Sequence, residues 1–311
     1  MCKTALYLHI GSAKCGSTAL QNAIFSFDES HKYQAATVDA WGDRNSENLA
    51  IAFGGELAEK YWKNKVGLTH DEIVEIRSSF NSNSVREIEQ KKSQGSRVFL
   101  ASSEYIFEQV NNKHKIQNLK NFLLELFDEI HIIFYYRSQT SLAPSLWAQH
   151  VKGLSRSFIS FKKFMRDENI ETHPLLSPYS RLKIWQSNFE QIYFNTIHEE
   201  NLKGKDLICD FSSYTGVPFF SKNTNCRYNV TQTLLVLEAL RFRNFLQKIA
   251  PKIVQNRFSL AFFKSLIKFL NFVSRKKLSE FPKHKLPKKI LIENKYLNNK
   301  FLSEKKQKLP V

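Results

Sequence analysis

The chain has 311 residues, of which 42% are hydrophobic and 13% aromatic, which is enough for a large buried core. Ten glycines and eight prolines exclude a fibrous chain, and no run of eighteen apolar residues predicts a membrane span. The net charge of +17 is uneven, because residues 221–311 hold 21 of the 46 basic residues but only 4 of the 29 acidic ones. A neutral body with a basic end predicts either contact with an anionic surface or polymer, or a solvated extension.

The cysteines and the N-terminus indicate the compartment. Cys2, Cys15, Cys209 and Cys226 are too few and too scattered for a disulfide framework, and no two form a Cys-x-x-Cys pair. The apolar run near the N-terminus is shorter than the core of a secretory signal. We therefore expect a cytoplasmic protein, whose basic end would allow peripheral contact with the inner face of the membrane.

Strand and helix patterns alternate along the first two thirds of the chain. Apolar runs with strong β propensity predict buried strands at residues 4–10, 97–102, 130–136 and 191–196. Helices are predicted after the first strand, with Leu20, Ala23, Ile24 and Phe27 on one face, from a Thr69–Glu72 capping box to about Lys92, over 118–127 and over 138–151. This alternation predicts an α/β fold, with a P-loop-type parallel sheet flanked by helices on both faces. Ligands bind such sheets at the carboxyl ends of the strands.

The chain after about Asn225 changes in character. It is helical in pattern and rich in lysine, with Pro282 and Pro287 at turns. We expect a main domain over residues 1–250 and a basic helical C-terminal extension over residues 251–311.

One segment of this extension allows two interpretations. Residues 258–273 place Lys264, Lys268 and Asn271 on one helical face and large apolar groups elsewhere. The pattern predicts either an interfacial helix on a membrane or a helix packed on the core with an ordinary solvated face.

The first motif that carries chemistry is the turn Gly11-Ser-Ala-Lys14-Cys15-Gly16-Ser17-Thr18. A glycine-bearing turn between a buried strand and a helix can cradle a phosphate with backbone N–H groups and the helix dipole. In an ATP- or GTP-hydrolysing loop a lysine directly follows the second glycine. Here Ser17 stands at that position and Lys14 precedes Gly16 by two residues, which disfavours nucleotide hydrolysis.

The second motif follows the strand at 130–136. Arg137 stands at the end of this strand, where a guanidinium can bind a phosphate with two hydrogen bonds. Ser145 comes eight residues later, about two helical turns, and a helix would bring it within reach of the same anion.

Together the two motifs resemble those of the bacterial, glycan-type sulfotransferases of the P-loop superfamily, which use 3′-phosphoadenosine 5′-phosphosulfate (PAPS). The Lys14-Cys-Gly-Ser-Thr run resembles the 5′-phosphosulfate loop, and Arg137 with Ser145 resembles the 3′-phosphate motif. Looser likenesses occur at Tyr179–Leu182 with Trp185, at Asp210–Gly216 and at Arg227–Asn229. Cys15 departs from the usual Thr or Ser; it removes a hydroxyl but keeps the backbone amide, and a reactive thiol is an alternative.

The resemblance implies a set of roles. PAPS would be the co-substrate and no metal would be needed. The donor would be bound by Lys14, Cys15, Gly16, Ser17, Thr18, Arg137 and Ser145. Lys14 and the loop amides would stabilise charge on the leaving group, and the acceptor would be a hydroxyl or amine, with a glycan expected.

The acceptor hydroxyl needs a general base, for which two residues are candidates. Glu104 lies just past a predicted strand end, where a half-buried carboxylate beside substrate can serve near neutrality. The alternative is that Glu104 caps the next helix or pairs with a lysine. His9, one residue before the end of the first strand, ranks second because a histidine inside a buried strand is more often a core residue.

Two other classes of function remain open. One is a P-loop kinase of a small molecule or sugar, which the lysine position and the lack of an obvious Mg²⁺-binding aspartate at a strand end disfavour. The other is a non-catalytic basic protein that binds a membrane or nucleic acid, although no recognised nucleic-acid motif is present.

Overall fold

The structure, a computed structural model, describes residues 3–26, 34–42, 45–153, 157–167, 173–219, 234–251, 257–274 and 286–302. They fall into two compact units. The first takes its residues from Met1–Arg137, Ser177–Cys226 and Leu291–Val311, and the second from Ser138–Leu176 and Arg227–Ile290. These units interleave along the chain. The predicted domains, 1–250 and 251–311, are contiguous stretches, and the boundary between them stays a prediction.

A parallel sheet forms the centre of the first unit. Its strands are β1 (Ala5–His9), β2 (Ala35–Ala36), β3 (Val98–Ser102), β4 (Glu129–Tyr136) and β5 (Gln191–Thr196). Their order is β2-β3-β1-β4-β5, and each neighbouring pair is parallel. At the carboxyl end of β1, His9 is aligned with Ser102 on one side and Ile133 on the other. The residues that follow these strands therefore emerge at one edge.

The remaining described elements are helical. The α-helices are α1 (Ser17–Phe25), α2 (Glu47–Phe53), α3 (Gly55–Lys65), α4 (His70–Ser93), α5 (Glu104–Gln109), α6 (Lys113–Leu126), α7 (Gln139–Lys152), α8 (Phe161–Asp167), α9 (Tyr179–Asn188), α10 (Leu207–Thr215), α11 (Leu234–Ile249), α12 (Arg257–Ser274) and α13 (Lys288–Phe301). Short 3₁₀ turns occur at Asp39–Trp41, Glu199–Asn201 and Lys203–Lys205.

Helices cover both faces of the sheet, because side chains alternate between the two faces along each strand. On one face, strand residues such as Leu100 and Ile133 pack in one apolar cluster with Leu20 of α1 and Phe211 of α10. On the other face the ring of Phe134 lies 4.6 Å from that of Phe107 in α5. The predicted α/β fold, with a parallel sheet covered on both faces, is confirmed.

The element boundaries follow local sequence signals closely. Thr69 caps α4, with its hydroxyl accepting from the Glu72 amide at 3.2 Å and its amide donating to the Glu72 carboxylate at 2.7 Å, as predicted. α6 begins five residues earlier than predicted, because the Asn112 side chain accepts from the Lys115 amide and caps it. The two-residue strand β2 is too short for a periodic signal, and Phe27 lies outside the described residues.

The second unit is built from helices in its described part. Asn244 of α11 is buried, and its Nδ2 donates to the carbonyls of Val151 at 2.8 Å and Ser157 at 3.1 Å. The helical C-terminal pattern is confirmed in α11, α12 and α13, and Pro287 directly precedes α13. Asn225, Pro282 and the Asn271 side chain lie outside the described residues. Along the described ranges, every helix is too short or too polar to cross a bilayer.

Candidate functional site

The phosphate-type loop is a direct continuation of β1. The backbone ladder between β1 and β4 extends past the strand, because Ile10 donates to Ile133 and Ser12 donates to Tyr135 at 2.8 Å. Tyr135 in turn donates to the Gly11 carbonyl at 3.0 Å. Ser12 is fully buried. The start of the loop is therefore held at the carboxyl end of the central strand.

The loop ends at the N-terminus of α1, which has no side-chain cap and no acidic residue in its first turn. Gly16 occupies the N-cap position with φ +82°, a left-handed conformation that glycine adopts without strain. A Cβ at this position would lie 2.4 Å from Cδ2 of Leu207 in α10. Ser17 is buried and Thr18 is exposed. An uncapped helix N-terminus of this kind can bind an anion.

Glu104 lies beside this loop, because β3 is the neighbour of β1 in the sheet. The Ser103 amide donates to the His9 carbonyl at 2.8 Å, and Glu104 begins α5 directly afterwards. The Ser17 hydroxyl donates to the Glu104 carboxylate, which fixes the position of that half-buried group. Ser17 and Glu104 are 87 positions apart in the sequence. Sheet topology therefore brings the predicted base and the predicted anion loop into contact.

Glu108 is a second carboxyl at this site that the sequence analysis did not identify. It stands four residues after Glu104 on α5, so both carboxyls lie on the same face of the helix. Burial, and next the charge of Glu104, raise the pKa of Glu108 to about 7, against the lowering effects of Lys65, Arg181 and Lys14. In the sequence, the spacing of four residues between the two glutamates was the signal that could have identified Glu108. Only the fold shows that Glu108 is half-buried and that its pKa is raised.

Basic and aromatic groups surround the two glutamates. Lys14 is half-buried with φ +65°, and its charge is close enough to Glu108 to lower the pKa of that carboxyl. The Arg181 guanidinium donates to the carbonyls of Phe107 and Glu108, both at 3.0 Å, and holds the end of α5. Tyr61 and Tyr105 contact each other with ring centres 5.4 Å apart, and the Lys65 ammonium lies 4.6 Å from the centre of the Tyr61 ring. The site therefore combines both signs of charge with aromatic surface.

Arg137 directly follows β4 and reaches the same edge of the sheet. Its backbone amide and its guanidinium both lie close enough to the Cys15 thiol to favour the thiolate form. Arg137 is half-buried. Ser145 lies in α7, in the second unit, and is also half-buried. Arg137 is thus beside the loop, while the joint grip of Arg137 and Ser145 on one phosphate stays a prediction.

The structure contradicts the reactive-thiol alternative for Cys15. Its side chain has no exposed surface, and burial raises the pKa of the thiol to about 12, although Ser12 and Arg137 act in the opposite direction. The thiol is therefore protonated at neutral pH. The uncapped helix and the lysine that suggested a low pKa are outweighed by the loss of water.

His9 is fully buried in β1. Its Nδ1 is hydrogen-bonded to the Ser102 hydroxyl at 2.8 Å, and burial lowers its pKa to about 4. Its imidazole is therefore neutral at physiological pH. A general base must touch the acceptor, and the half-buried Glu104 is better exposed for that contact than His9.

A buried network around Asp210 supports the loop from the α10 side. The Asp210 carboxylate, 4% exposed, accepts from the hydroxyls of Tyr135 at 2.8 Å and Tyr193 at 2.9 Å, from Asn195 at 3.2 Å and from the Lys203 amide at 2.8 Å. Burial, together with the Asp210 charge, raises the pKa of both tyrosines, so they remain donors. The network fixes α10, whose Leu207 contacts the loop. Arg227–Asn229 lies outside the described residues.

Among the described residues, no cluster of three or more histidine, cysteine or carboxylate side chains could hold a metal ion.

The chain was compared with known proteins. No protein-family model and no curated protein matches the sequence. Among solved structures, the fold is similar to that of a sulfotransferase from Alicyclobacillus acidocaldarius, with a TM-score of 0.40 and 15% sequence identity. The alignment covers 84% of this chain and 95% of that one. A likeness at this level assigns no function. The evidence for a function comes from the residues of the site.

Proposed function

We propose that the protein is a sulfotransferase that moves a sulfuryl group from PAPS to a hydroxyl or amine of an acceptor. The observation that carries this proposal is the contact between Ser17 of the anion loop and Glu104. It unites an uncapped helix N-terminus, suited to a phosphosulfate, with a carboxylate suited to remove an acceptor proton. Arg137 lies at the same edge of the sheet, as the resemblance in sequence requires.

The donor would be bound by the residues that the sequence motifs identify. The amides around Gly16 and the hydroxyls of Ser17 and Thr18 would hold the 5′-phosphosulfate, with Lys14 supplying positive charge. Arg137 and Ser145 would hold the 3′-phosphate, which distinguishes PAPS from ATP. No metal is proposed for this step.

The transfer itself would be an in-line displacement at sulfur. The acceptor oxygen forms a bond to sulfur while the bond from sulfur to the 5′-phosphate oxygen breaks, and the acceptor proton passes to the Glu104 carboxylate. Adenosine 3′,5′-bisphosphate leaves with a new negative charge. Lys14 and the loop amides neutralise that charge as it develops.

A glycan is the proposed acceptor. Tyr61 and Tyr105 place half-buried aromatic rings next to Glu104, and Lys65 and Glu108 add polar groups of both signs. Sites that bind small polar ligands commonly combine aromatic surface with a few placed polar groups. A sugar, with its hydroxyls and apolar ring face, suits such a lining.

Calorimetric titration with adenosine 3′,5′-bisphosphate tests the donor site. We expect micromolar binding that ATP with Mg²⁺ does not match, and at least a tenfold loss, about 1.4 kcal/mol or more, in an Arg137→Ala variant. Arg97→Ala is the matched control, because Arg97 lies at the opposite end of β3 and bonds only backbone carbonyls. Tighter binding of ATP, or no binding of either nucleotide, would reject the proposal.

A second experiment tests Glu104 as the base. With PAPS and a panel of sugars, Glu104→Gln should lower kcat by about 10² to 10⁴ while bisphosphate binding is retained. Glu125→Gln, an exposed acid on α6, should have no effect. Equal loss of kcat and of bisphosphate binding in Glu104→Gln would instead assign Glu104 a role in holding the loop.

A further inference from the structure

The outward face of α11 is apolar. Leu235, Phe242, Phe245 and Ile249 are 48, 54, 40 and 61% exposed, and their spacing of seven, three and four residues places them in one stripe. Val236, Leu237 and Asn244 lie on the other side and are buried. The helix therefore packs through one face and presents a second apolar face to water.

The next helix, α12, repeats the arrangement. Phe262 and Phe269 are 62 and 61% exposed and stand seven residues apart, whereas Phe263 is buried. Lys264 and Lys268 are exposed and, at 100° per residue, stand about 100–160° around the helix from the two phenylalanines, so they lie to one side of the stripe. Together with the α11 residues, these two phenylalanines form what we call the apolar stripes.

Further contacts extend the α11 stripe. The ring of Phe158 lies 6.2 Å from that of Phe245, and the Lys248 ammonium lies 4.8 Å from the centre of the Phe158 ring. Glu238, the acid on the same side, is bonded by two nitrogens of Arg241 at 2.6 Å, so its charge is neutralised. The surface is thus apolar with a positive border.

Single exposed apolar residues are ordinary in folded proteins, but their repetition at helical spacing on two successive helices indicates a binding surface. The charge of this part of the chain restricts the occupant. Residues 221–311 hold 21 basic residues and 4 acidic ones. A second copy of this chain would bring two positive surfaces together, which costs free energy. A nucleic acid would neutralise the lysines but leave leucine and isoleucine in water.

We propose that the apolar stripes dock the protein on an anionic lipid surface. The phenylalanines, Leu235 and Ile249 enter the boundary between headgroups and acyl chains, while Lys264 and Lys268 extend their ammonium groups to lipid phosphates. Each lysine near such a surface adds to the attraction, and salt weakens it. This inference does not depend on the enzymatic activity proposed above.

The test is co-sedimentation of the full chain with lipid vesicles. We expect binding to vesicles with about 30% phosphatidylglycerol, weak binding to pure phosphatidylcholine, and a decrease as salt rises. The double variant Phe262→Ser with Phe269→Ser should bind about tenfold more weakly at every salt concentration. Lys264→Gln with Lys268→Gln should lose mainly the preference for the anionic lipid.

Leu124→Ser is the matched control, since Leu124 is 51% exposed on α6 and is not part of the apolar stripes. Circular dichroism of each variant shows whether it remains folded. Unchanged vesicle binding in the phenylalanine variant would overturn the proposal. So would RNA binding that competes with vesicles and does not depend on the phenylalanines, or a dimer in free solution that the same variant dissociates.

Discussion

The first unit contains a buried carboxylate with four hydrogen-bond donors, whereas the second unit exposes two phenylalanines on one helix. In the first unit, Asp210 is 4% exposed and receives hydrogen bonds from two tyrosines, an asparagine and a backbone amide. In the second, Phe262 and Phe269 are more than 60% exposed. A buried carboxylate is tolerated only with all its partners, whereas an exposed phenylalanine costs the fold little.

The difference indicates where each unit's chemistry lies. The first unit builds its candidate site from groups that tertiary structure brings together, such as Ser17, Glu104 and Glu108. The second exposes the apolar groups for which we propose a lipid partner. Substitutions should therefore affect stability strongly in the first unit and mainly affect binding on the apolar stripes.

The largest effect is expected from Asp210→Ala. Removing the carboxylate leaves Tyr135, Tyr193 and Asn195 without their shared acceptor inside the protein, and we expect a loss of about 3–5 kcal/mol in unfolding free energy. Urea denaturation followed by fluorescence measures it. Asp210→Asn keeps one acceptor oxygen and should cost less. A loss below about 1 kcal/mol for the alanine variant would show that water replaces the carboxylate.

Glu108→Gln tests the raised pKa of Glu108 through the pH dependence of stability. A carboxyl whose pKa is higher in the folded protein binds more protons there than in the unfolded chain, so its stabilising contribution is lost as pH rises from 4.5 through about 7. One pKa unit corresponds to about 1.4 kcal/mol. After a reduction for water contact, the unfolding free energy of Glu108→Gln should exceed that of the wild type by about 2 kcal/mol at pH 8. At pH 4 the two proteins should be nearly equal. A stability difference that does not vary with pH would contradict the burial of Glu108.

Gly16→Ala should cost about 1–2 kcal/mol, because alanine is strained at φ +82°. Gly216→Ala is the control, since Gly216 has φ +73° and no atom within 4 Å of an added Cβ. Thermal unfolding should show the backbone strain in both variants and a further loss in Gly16→Ala, because its Cβ would lie 2.4 Å from Cδ2 of Leu207. Only Gly16→Ala should also weaken binding of adenosine 3′,5′-bisphosphate. Equal affinity in the two variants would remove Gly16 from the anion site.

The smallest effect on stability is expected on the apolar stripes. Phe262→Ser should change the unfolding free energy by about 0.5 kcal/mol or less, because the ring already contacts water. Its neighbour Phe263 is 7% exposed, and Phe263→Ser should cost about 3 kcal/mol. Chemical denaturation of the pair gives the comparison directly. Equal losses would mean that Phe262 is packed and that the α12 stripe is not a free surface.

Much of the fold was predictable because its signals are local. The buried part of β4 at residues 132–136 is a continuous apolar and aromatic run, and the α4 boundary depends on a capping box between Thr69 and Glu72. β2 gave no signal, because two alanines have neither periodicity nor β propensity. The interleaving of the two units was likewise not predictable, since it depends on contacts between distant segments.

The candidate site also has features that local sequence predicted and features that it did not. The residue types and spacing around Gly16 and Arg137 predicted a glycine-bearing loop before α1 and an arginine at the end of β4, because backbone turns and strand ends are set within a few residues. The tertiary structure alone decided what they contact and how they ionise. It placed Glu104 against Ser17, raised the pKa of Glu108 and of the Cys15 thiol, and left Phe262 and Phe269 of α12 exposed. Burial and charge coupling arise between residues that are distant in sequence, so no local pattern can determine them.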